Sequence, residues 1–143
     1  MNRGWRFFAV MALAAIAGCG RSGPEVVPVA GKITYAGGAW PNKGSLYFTP
    51  VESAAGFPMR PGSAEFGLDG GFTVTSFKPG DGLVPGRYHV GIQCWTSPPV
   101  MGSETPVKSA VALKYQSPTT SCLEVDVKPG QSKVTVEWDV PKP

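Results

Sequence analysis

The sequence predicts an all-β fold, a seven-stranded antiparallel β-sandwich, and three observations support this. Glycine and proline together make up 34 of the 143 residues and recur at short intervals, as they do where a chain turns often. Apolar residues alternate with polar ones over short stretches, which is the period of a strand with one buried face. Seven such stretches, separated by turn residues, fit two sheets packed face to face.

The first four predicted strands each place their apolar residues on one face. Residues 51–62 are predicted to form a loop between the second and third strands. Asp69-Gly70-Gly71 joins the third and fourth as a tight hairpin turn, because these residues accept positive φ. The apolar faces are Val29, Gly31, Ile33 and Tyr35, then Leu46 and Phe48, then Ala64, Phe66 and Leu68, then Phe72 and Val74.

The last three predicted strands show the clearest alternation. A long connection rich in proline and serine, residues 96–120, follows the fifth strand, and Pro129-Gly130 turns the chain between the sixth and seventh. In the fifth strand, Arg87, His89 and Gln93 face away from the apolar side. The apolar faces are Tyr88, Val90, Ile92 and Cys94, then Leu123, Val125 and Val127, then Val134, Val136, Trp138 and Val140.

The first eighteen residues have the pattern of a secretory signal peptide. Arg3 and Arg6 give a positive start, and the apolar run that follows, residues 7–17, is too short to span a bilayer. The boundary Ile16-Ala17-Gly18-Cys19 resembles the lipobox of bacterial lipoproteins, in which small residues precede a cysteine that becomes acylated. This resemblance implies cleavage before Cys19 and a lipid anchor on its thiol, with the palmitate-type acyl chains of such proteins.

The chain therefore divides into a signal peptide (1–18), a lipidated tether (19–26) and a β-sandwich domain (27–143). The mature chain of 125 residues is near neutral, because the signal peptide removes two of the thirteen basic residues and ten acidic residues remain. This balance gives no reason to expect a nucleic-acid partner. The predicted location is extracytoplasmic and lipid-anchored, and Gly20, which stands where aspartate would retain a lipoprotein in the inner membrane, favours the outer membrane where a cell has one.

Several segments between residues 27 and 140 share their order and spacing with one known group of proteins. They are Val29-x-Gly31-x-Ile33, Gly38-x-x-Pro41-x-x-Gly44-x-Leu46-x-Phe48-x-Pro50, Asp69-Gly70-Gly71-Phe72-x-Val74, Gly80–Tyr88 with Val90 and Ile92, Lys114-Tyr115, and Thr120–Leu123 with Val125. Together they resemble small bacterial lipoproteins with a carboxypeptidase-regulatory-like domain, an Ig-like or transthyretin-like (prealbumin-like) sandwich. The resemblance implies this fold and an envelope location, and it implies no catalytic residues. Cys122 stands where this family tends to have glycine.

Cys94 and Cys122 are predicted to form a disulfide. Cys94 ends the fifth strand and Cys122 begins the sixth, so antiparallel pairing would bring them together in an oxidising compartment. Strand parity argues against the bond, because it turns Cys94 inward and groups Cys122 with the outward Glu124, unless the chain turns before Leu123. The alternative is a pair of buried free thiols.

No catalytic site, metal site or cofactor is predicted from the sequence. His89 is the only histidine, and no nucleophile motif accompanies it. Zinc needs three or four His or Cys ligands, which the chain does not supply if its cysteines are lipidated or bridged. Asp69 and Asp81 lie in glycine loops but lack the regular acid spacing of a calcium motif. We therefore expect no enzymatic activity, and a small secreted hydrolase is the least favoured alternative.

Trp40 and Trp95 are the candidates for contact with a ligand or partner. Trp40 lies in a turn beside Pro41 and Trp95 opens the long connection, and loops often carry function. Exposed tryptophans stack on sugars or anchor partners, although both could instead fold back over the core. We expect a non-catalytic module, held on the membrane through Cys19, that contacts an envelope protein or glycan. The alternative is a carrier of a small ligand or carbohydrate that uses these tryptophans.

Overall fold

The computed structural model describes residues 23–143, and this part of the chain is all-β. It contains the seven predicted strands and one helix of four residues. No helix among the described residues is long and apolar enough to cross a membrane. The elements are β1 (Val29–Tyr35), β2 (Gly44–Ser53), β3 (Gly62–Phe66), β4 (Gly71–Thr73), β5 (Gly86–Cys94), α1 (Leu113–Gln116), β6 (Glu124–Val127) and β7 (Val134–Val140).

The seven strands form one mixed, nearly barrel-shaped sheet in the order β6-β5-β2-β3-β4-β1-β7. The predicted arrangement of two sheets packed face to face is not shown, because all seven strands belong to one sheet. The prediction of purely antiparallel pairing is wrong at one pair, because β1 and β7 run parallel. The Val134 amide donates to the Pro28 carbonyl at 2.9 Å, so β7 begins beside the start of β1 and follows it in the same direction. The two edge strands of the sheet are β6 and β7. They follow one another in the sequence and are joined by residues 128–133, but they are not hydrogen-bonded to each other.

Most of the predicted apolar faces form the core, which confirms the alternation within the strands. The prediction for Leu68 is wrong, because β3 ends at Phe66 and Leu68 is 53% exposed in the turn that follows. The loop predicted over 51–62 is also shorter than expected, since β2 continues to Ser53. The Tyr88 hydroxyl donates to the Val84 carbonyl at 2.7 Å, and burial raises the pKa of Tyr88 to about 12. Trp138, predicted to be inward, is half-buried and stacks on Phe72 with the ring centroids 6.0 Å apart. The core residues include Val29, Ile33, Leu46, Phe48, Phe66, Val74, Val90, Ile92, Val125, Val127 and Val140.

The loops gather at two opposite ends of the sheet. We call one of them the amino-terminal end, because the chain enters the sheet there, at Val27. Val27 is buried and exchanges two backbone hydrogen bonds with Leu83. Loops 54–61, 76–85 and 128–133 lie at this end. At the other, the distal end, lie loops 36–43 and 67–70 and the connection 95–123, where the Tyr35 hydroxyl donates to the Ala110 carbonyl at 2.8 Å.

Candidate functional site

The predicted lipidation site, Cys19, lies outside the described residues. The described chain begins at Gly23, four residues beyond it. The Glu25 carboxylate accepts a hydrogen bond from the Gly130 amide at 2.9 Å, and Val27 follows in the core. The chain that leads from Cys19 therefore reaches the domain at the amino-terminal end.

The predicted disulfide is absent, because Cys94 and Cys122 are both free in the structure. The prediction assumed that the end of β5 lies beside the start of β6. Instead β6 pairs with the first half of β5, with His89 opposite Glu124. Continuing this register places Cys122 opposite Gly91, three residues short of Cys94 and about 10 Å away along the strand.

The two cysteines also lie in different environments. Cys94 is buried; burial raises the pKa of its thiol, and a contact of 3.5 Å to the Asn42 carbonyl lowers it only in part. Cys122 is exposed and has φ of 59°, in the left-handed region that glycine adopts most readily.

Trp40 is part of the core and is not available for contact, so its prediction as a contact residue is wrong. Its side chain is only 3% exposed. The indole N–H donates to the Ile33 carbonyl at 2.7 Å, and the ring packs at 5.0 Å from that of Tyr35 and 4.6 Å from that of Phe66. The alternative that this tryptophan folds back over the core is the one observed.

Trp95 remains at the surface, half-buried at the end of β5. Its backbone pairs with Ser109 across the long connection, and its side chain lines a small cavity of about 150 Å³. The other residues around this cavity are Tyr47, Ile92, Gln93, Ser109 and Gln116. An indole, an amide pair and hydroxyls thus surround a space large enough for a few non-hydrogen atoms.

A larger depression, the outer-face trough, lies on the outward side of β2, β3 and β4. It has a volume of about 770 Å³ and is open to solvent. Tyr47 is 45% exposed beside it, and its hydroxyl donates to the Gln93 side-chain oxygen at 2.7 Å, which holds the ring in place. The polar residues that define the trough are Ser45, Tyr47, Ser63, Glu65, Asp69, Thr73 and Thr75.

The trough is not evident from the sequence, because its residues occupy ordinary outward positions of strands. Ser45, Tyr47 and Thr49 alternate with the inward Leu46 and Phe48, so their exposure could be predicted. Their convergence could not, since it depends on which strands lie beside β2. Tyr47 was the available signal, as a large aromatic residue at a position that the alternation turns toward solvent.

His89, Asp69 and Asp81 do not form a common site. His89 contacts the Glu124 carboxylate on β6 at 3.1 Å, whereas Asp69 lies in the turn between β3 and β4 and lines the trough. The Asp81 carboxylate closes its own loop by accepting the amides of Ser76, Phe77 and Lys78 at 2.8–3.0 Å.

The pKa of Asp81 reflects this loop. Burial alone would raise it, but the hydrogen bonds from the Ser76, Lys78 and Phe77 amides outweigh burial and lower it below the ordinary 3.8. The carboxylate therefore stays ionised and stabilises the turn. Among residues 23–143, no group of three or more His, Cys, Asp or Glu side chains is placed to hold a metal ion.

Comparison of the chain with protein-family models, with curated proteins and with solved structures gave no match.

Proposed function

We propose that this protein is a lipid-anchored, non-catalytic module of a bacterial cell envelope that binds a glycan through the outer-face trough. The observation that carries the binding half of the proposal is the trough itself. The anchor rests on the signal-peptide pattern and the segment Ile16-Ala17-Gly18-Cys19. The kinship with transthyretin-like sandwich domains is part of the same proposal, supported by seven strands around one core.

The chemistry of the trough suits a carbohydrate. Four aliphatic hydroxyls, two carboxylates and the Tyr47 ring line one open surface. Hydroxyls and carboxylates can exchange hydrogen bonds with sugar hydroxyls, and an aromatic face stacks on the apolar C–H face of a pyranose. Because the Tyr47 hydroxyl is bonded to Gln93, its ring is already oriented and loses little freedom when a ligand binds.

The scaffold also suits binding along a chain-like ligand. Ser63 and Glu65 lie on β3 opposite Tyr47 and Ser45 on β2, so these four polar groups are carried by paired strands. Asp69, by contrast, lies in the turn between β3 and β4. The spacing of the four groups is set by the sheet, in which residues on one face recur about 6.6 Å apart along a strand. An oligosaccharide of several units could contact successive pairs.

Replacement of Tyr47 with alanine tests glycan binding at the trough. Because Tyr47 also lines the cavity beside Trp95, the length of the ligand that is bound is needed to separate the two sites. We expect the Tyr47→Ala protein to bind glycans at least roughly tenfold more weakly than the wild type, a loss of about 1.4 kcal/mol. The mature protein in detergent would be screened on a glycan array, and affinities for the ligands found would be measured by calorimetry. Phe77→Ala is the matched control, because Phe77 is 46% exposed but lies in loop 76–85.

Equal binding by the wild type and Tyr47→Ala would refute the trough as the glycan site, as would an equal loss in Phe77→Ala. An array without any ligand, together with capture of an envelope protein that Tyr47→Ala fails to capture, would replace the glycan by a protein partner.

Replacement of Cys19 with serine tests the anchor. We expect the mature wild-type protein to partition into the detergent phase and to carry a diacylglyceryl group on Cys19. Cys19→Ser should remain unprocessed or be released, because the thiol that accepts the lipid is missing. Mass spectrometry of the native mature protein decides, since an unmodified Cys19 at its amino terminus is incompatible with the proposal.

The second candidate function is a carrier of a small ligand, and the cavity beside Trp95 favours it. Of the two tryptophans proposed for that role, only Trp95 has a surface position, since Trp40 is buried. A carrier that uses this cavity would bind a monosaccharide as tightly as the longer glycan of the same sugar, because a space of about 150 Å³ admits only part of one sugar ring. The trough would favour the longer glycan.

A further inference from the structure

We infer that the amino-terminal end of the domain is a docking surface for the anionic headgroups of the membrane that carries the anchor. The inference rests on the proposed lipid on Cys19, and it adds an orientation to it. Under this inference the domain does not swing freely on its tether. It stands with loops 54–61, 76–85 and 128–133 against the bilayer surface.

The length of the tether is the first argument. Glu25 is bonded to Gly130, so only the six residue steps from Cys19 to Glu25 separate the anchor from the domain. Fully extended, these steps span about 20 Å. The strand β5 alone has nine residues and is about 30 Å long, so the distal end cannot reach the membrane while the strands stand upright.

The composition of the amino-terminal end is the second argument. Met59 and Phe77 are large apolar residues with about half of their surface exposed, and they lie on neighbouring loops. The Arg60 guanidinium lies over the Phe77 ring at 4.7 Å from its centroid and donates to the Ser76 carbonyl. An aromatic ring with a cation beside it suits the interface between headgroups and acyl chains.

Charge complementarity is the third argument. Four exposed cations lie in these loops, and none of them forms a salt bridge within residues 23–143. The acidic groups at the same end are Glu25 and Asp81, whose carboxylates already accept backbone amides, Glu52, which pairs with Arg87, and the exposed Asp126, which lies opposite Arg87 on β6. Basic residues close to an anionic leaflet are attracted to it. The four cations are Arg60, Lys78, Lys128 and Lys133.

The distal end of the domain provides a comparison for the amino-terminal end. It carries the same kinds of residues, since Leu113 is 80% exposed and Lys114 stands beside it. Composition alone would therefore allow either end to bind a membrane. The position at which the chain enters the sheet, at Val27, decides for the amino-terminal end, because the short tether brings this end to the membrane.

The experiment uses the mature lipidated protein in phosphatidylcholine vesicles with and without phosphatidylglycerol. The Phe77→Trp and Leu113→Trp variants each add one tryptophan to the same native ones. A difference between their fluorescence spectra therefore reports the surroundings of the added indole. In anionic vesicles, we expect the emission of the indole added in Phe77→Trp to shift to shorter wavelength and to be quenched by headgroup spin-labelled lipid. Both effects should be absent in Leu113→Trp, and both should weaken when Lys78→Glu and Lys128→Glu are added to Phe77→Trp or when salt is raised.

The outcomes distinguish a failure of the docking surface from a failure of the anchor. Protein that floats with the vesicles but shows no quenching of Phe77→Trp, or equal quenching in both variants, overturns the docking surface and leaves the anchor in place. Protein that floats with neither type of vesicle overturns the proposed anchor and the docking surface together. Flotation with quenching confined to Phe77→Trp supports both, provided that circular dichroism shows the wild-type fold in each variant.

Discussion

Replacement of Trp40 with alanine is expected to lower the free energy of unfolding by roughly 3–5 kcal/mol. The indole is 3% exposed and packs between the rings of Tyr35 and Phe66, so its removal leaves a large cavity in the core. It also removes the donor that satisfies the Ile33 carbonyl at 2.7 Å, and an unsatisfied buried acceptor adds to the cost. Urea unfolding followed by circular dichroism would measure the loss as a lower midpoint with an unchanged slope.

Trp95→Ala is the control for Trp40→Ala. The two variants remove the same side chain, but Trp95 is half-buried and its ring is absent from the core cluster. We therefore expect a loss of less than about 2 kcal/mol in Trp95→Ala, as for most substitutions outside the core. Equal losses in the two variants would contradict the different burial of the two tryptophans.

The contrast between these two tryptophans shows how far the sequence could predict the structure. Alternation predicted strands and inward faces well, because the side-chain period of a strand is a local property. Val90 and Ile92, for example, are buried as their alternation with His89 and Gln93 requires. Trp40 lies beside Pro41 in a turn, where no local period applies, and its burial depends on Phe66, which is distant in sequence.

Strand partners and register could not be predicted for a related reason. The parallel pair of β1 and β7 joins residues about one hundred positions apart, and alternation within each strand is the same whatever its neighbour. The Cys94–Cys122 prediction failed at this level. The fifth strand ends at Cys94 as predicted, but β6 begins at Glu124 and not at Cys122, and its pairing with β5 is shifted by three residues from the one that would join the cysteines.

The candidate site depended on the same missing information. Ser45, Tyr47 and Glu65 each look like an ordinary solvent-facing residue of a strand. They become one trough only because β2 lies beside β3 in the register Ser45–Glu65. The anchor could be proposed from the sequence alone, since a signal-peptide pattern depends on contiguous residues and not on tertiary contacts.

Replacement of Gly82 with alanine is expected to destabilise the fold at the point where the tether joins it. Gly82 has φ of 105°, beyond the left-handed helical region, and holding an alanine there costs roughly 1–3 kcal/mol. An added Cβ would also lie 1.9 Å from the Val27 carbonyl oxygen and 2.8 Å from the Pro28 Cα, both of them backbone atoms. Such overpacking costs roughly 1–3 kcal/mol more, so we expect a total loss of about 2–6 kcal/mol.

Gly80→Ala separates the two contributions, because Gly80 lies in the same loop with φ of 71°. Its added Cβ would meet only the Thr73 methyl at 3.4 Å, so this variant should show the backbone cost alone. In Gly82→Ala the new methyl must push Val27 away from Leu83, whose two backbone hydrogen bonds hold the first residues of the domain. We therefore expect faster amide exchange at Val27 in Gly82→Ala than in Gly80→Ala, as well as a lower urea midpoint. The same midpoint and the same Val27 exchange in both variants would show that the close approach of Gly82 to Val27 does not hold the amino-terminal end in place.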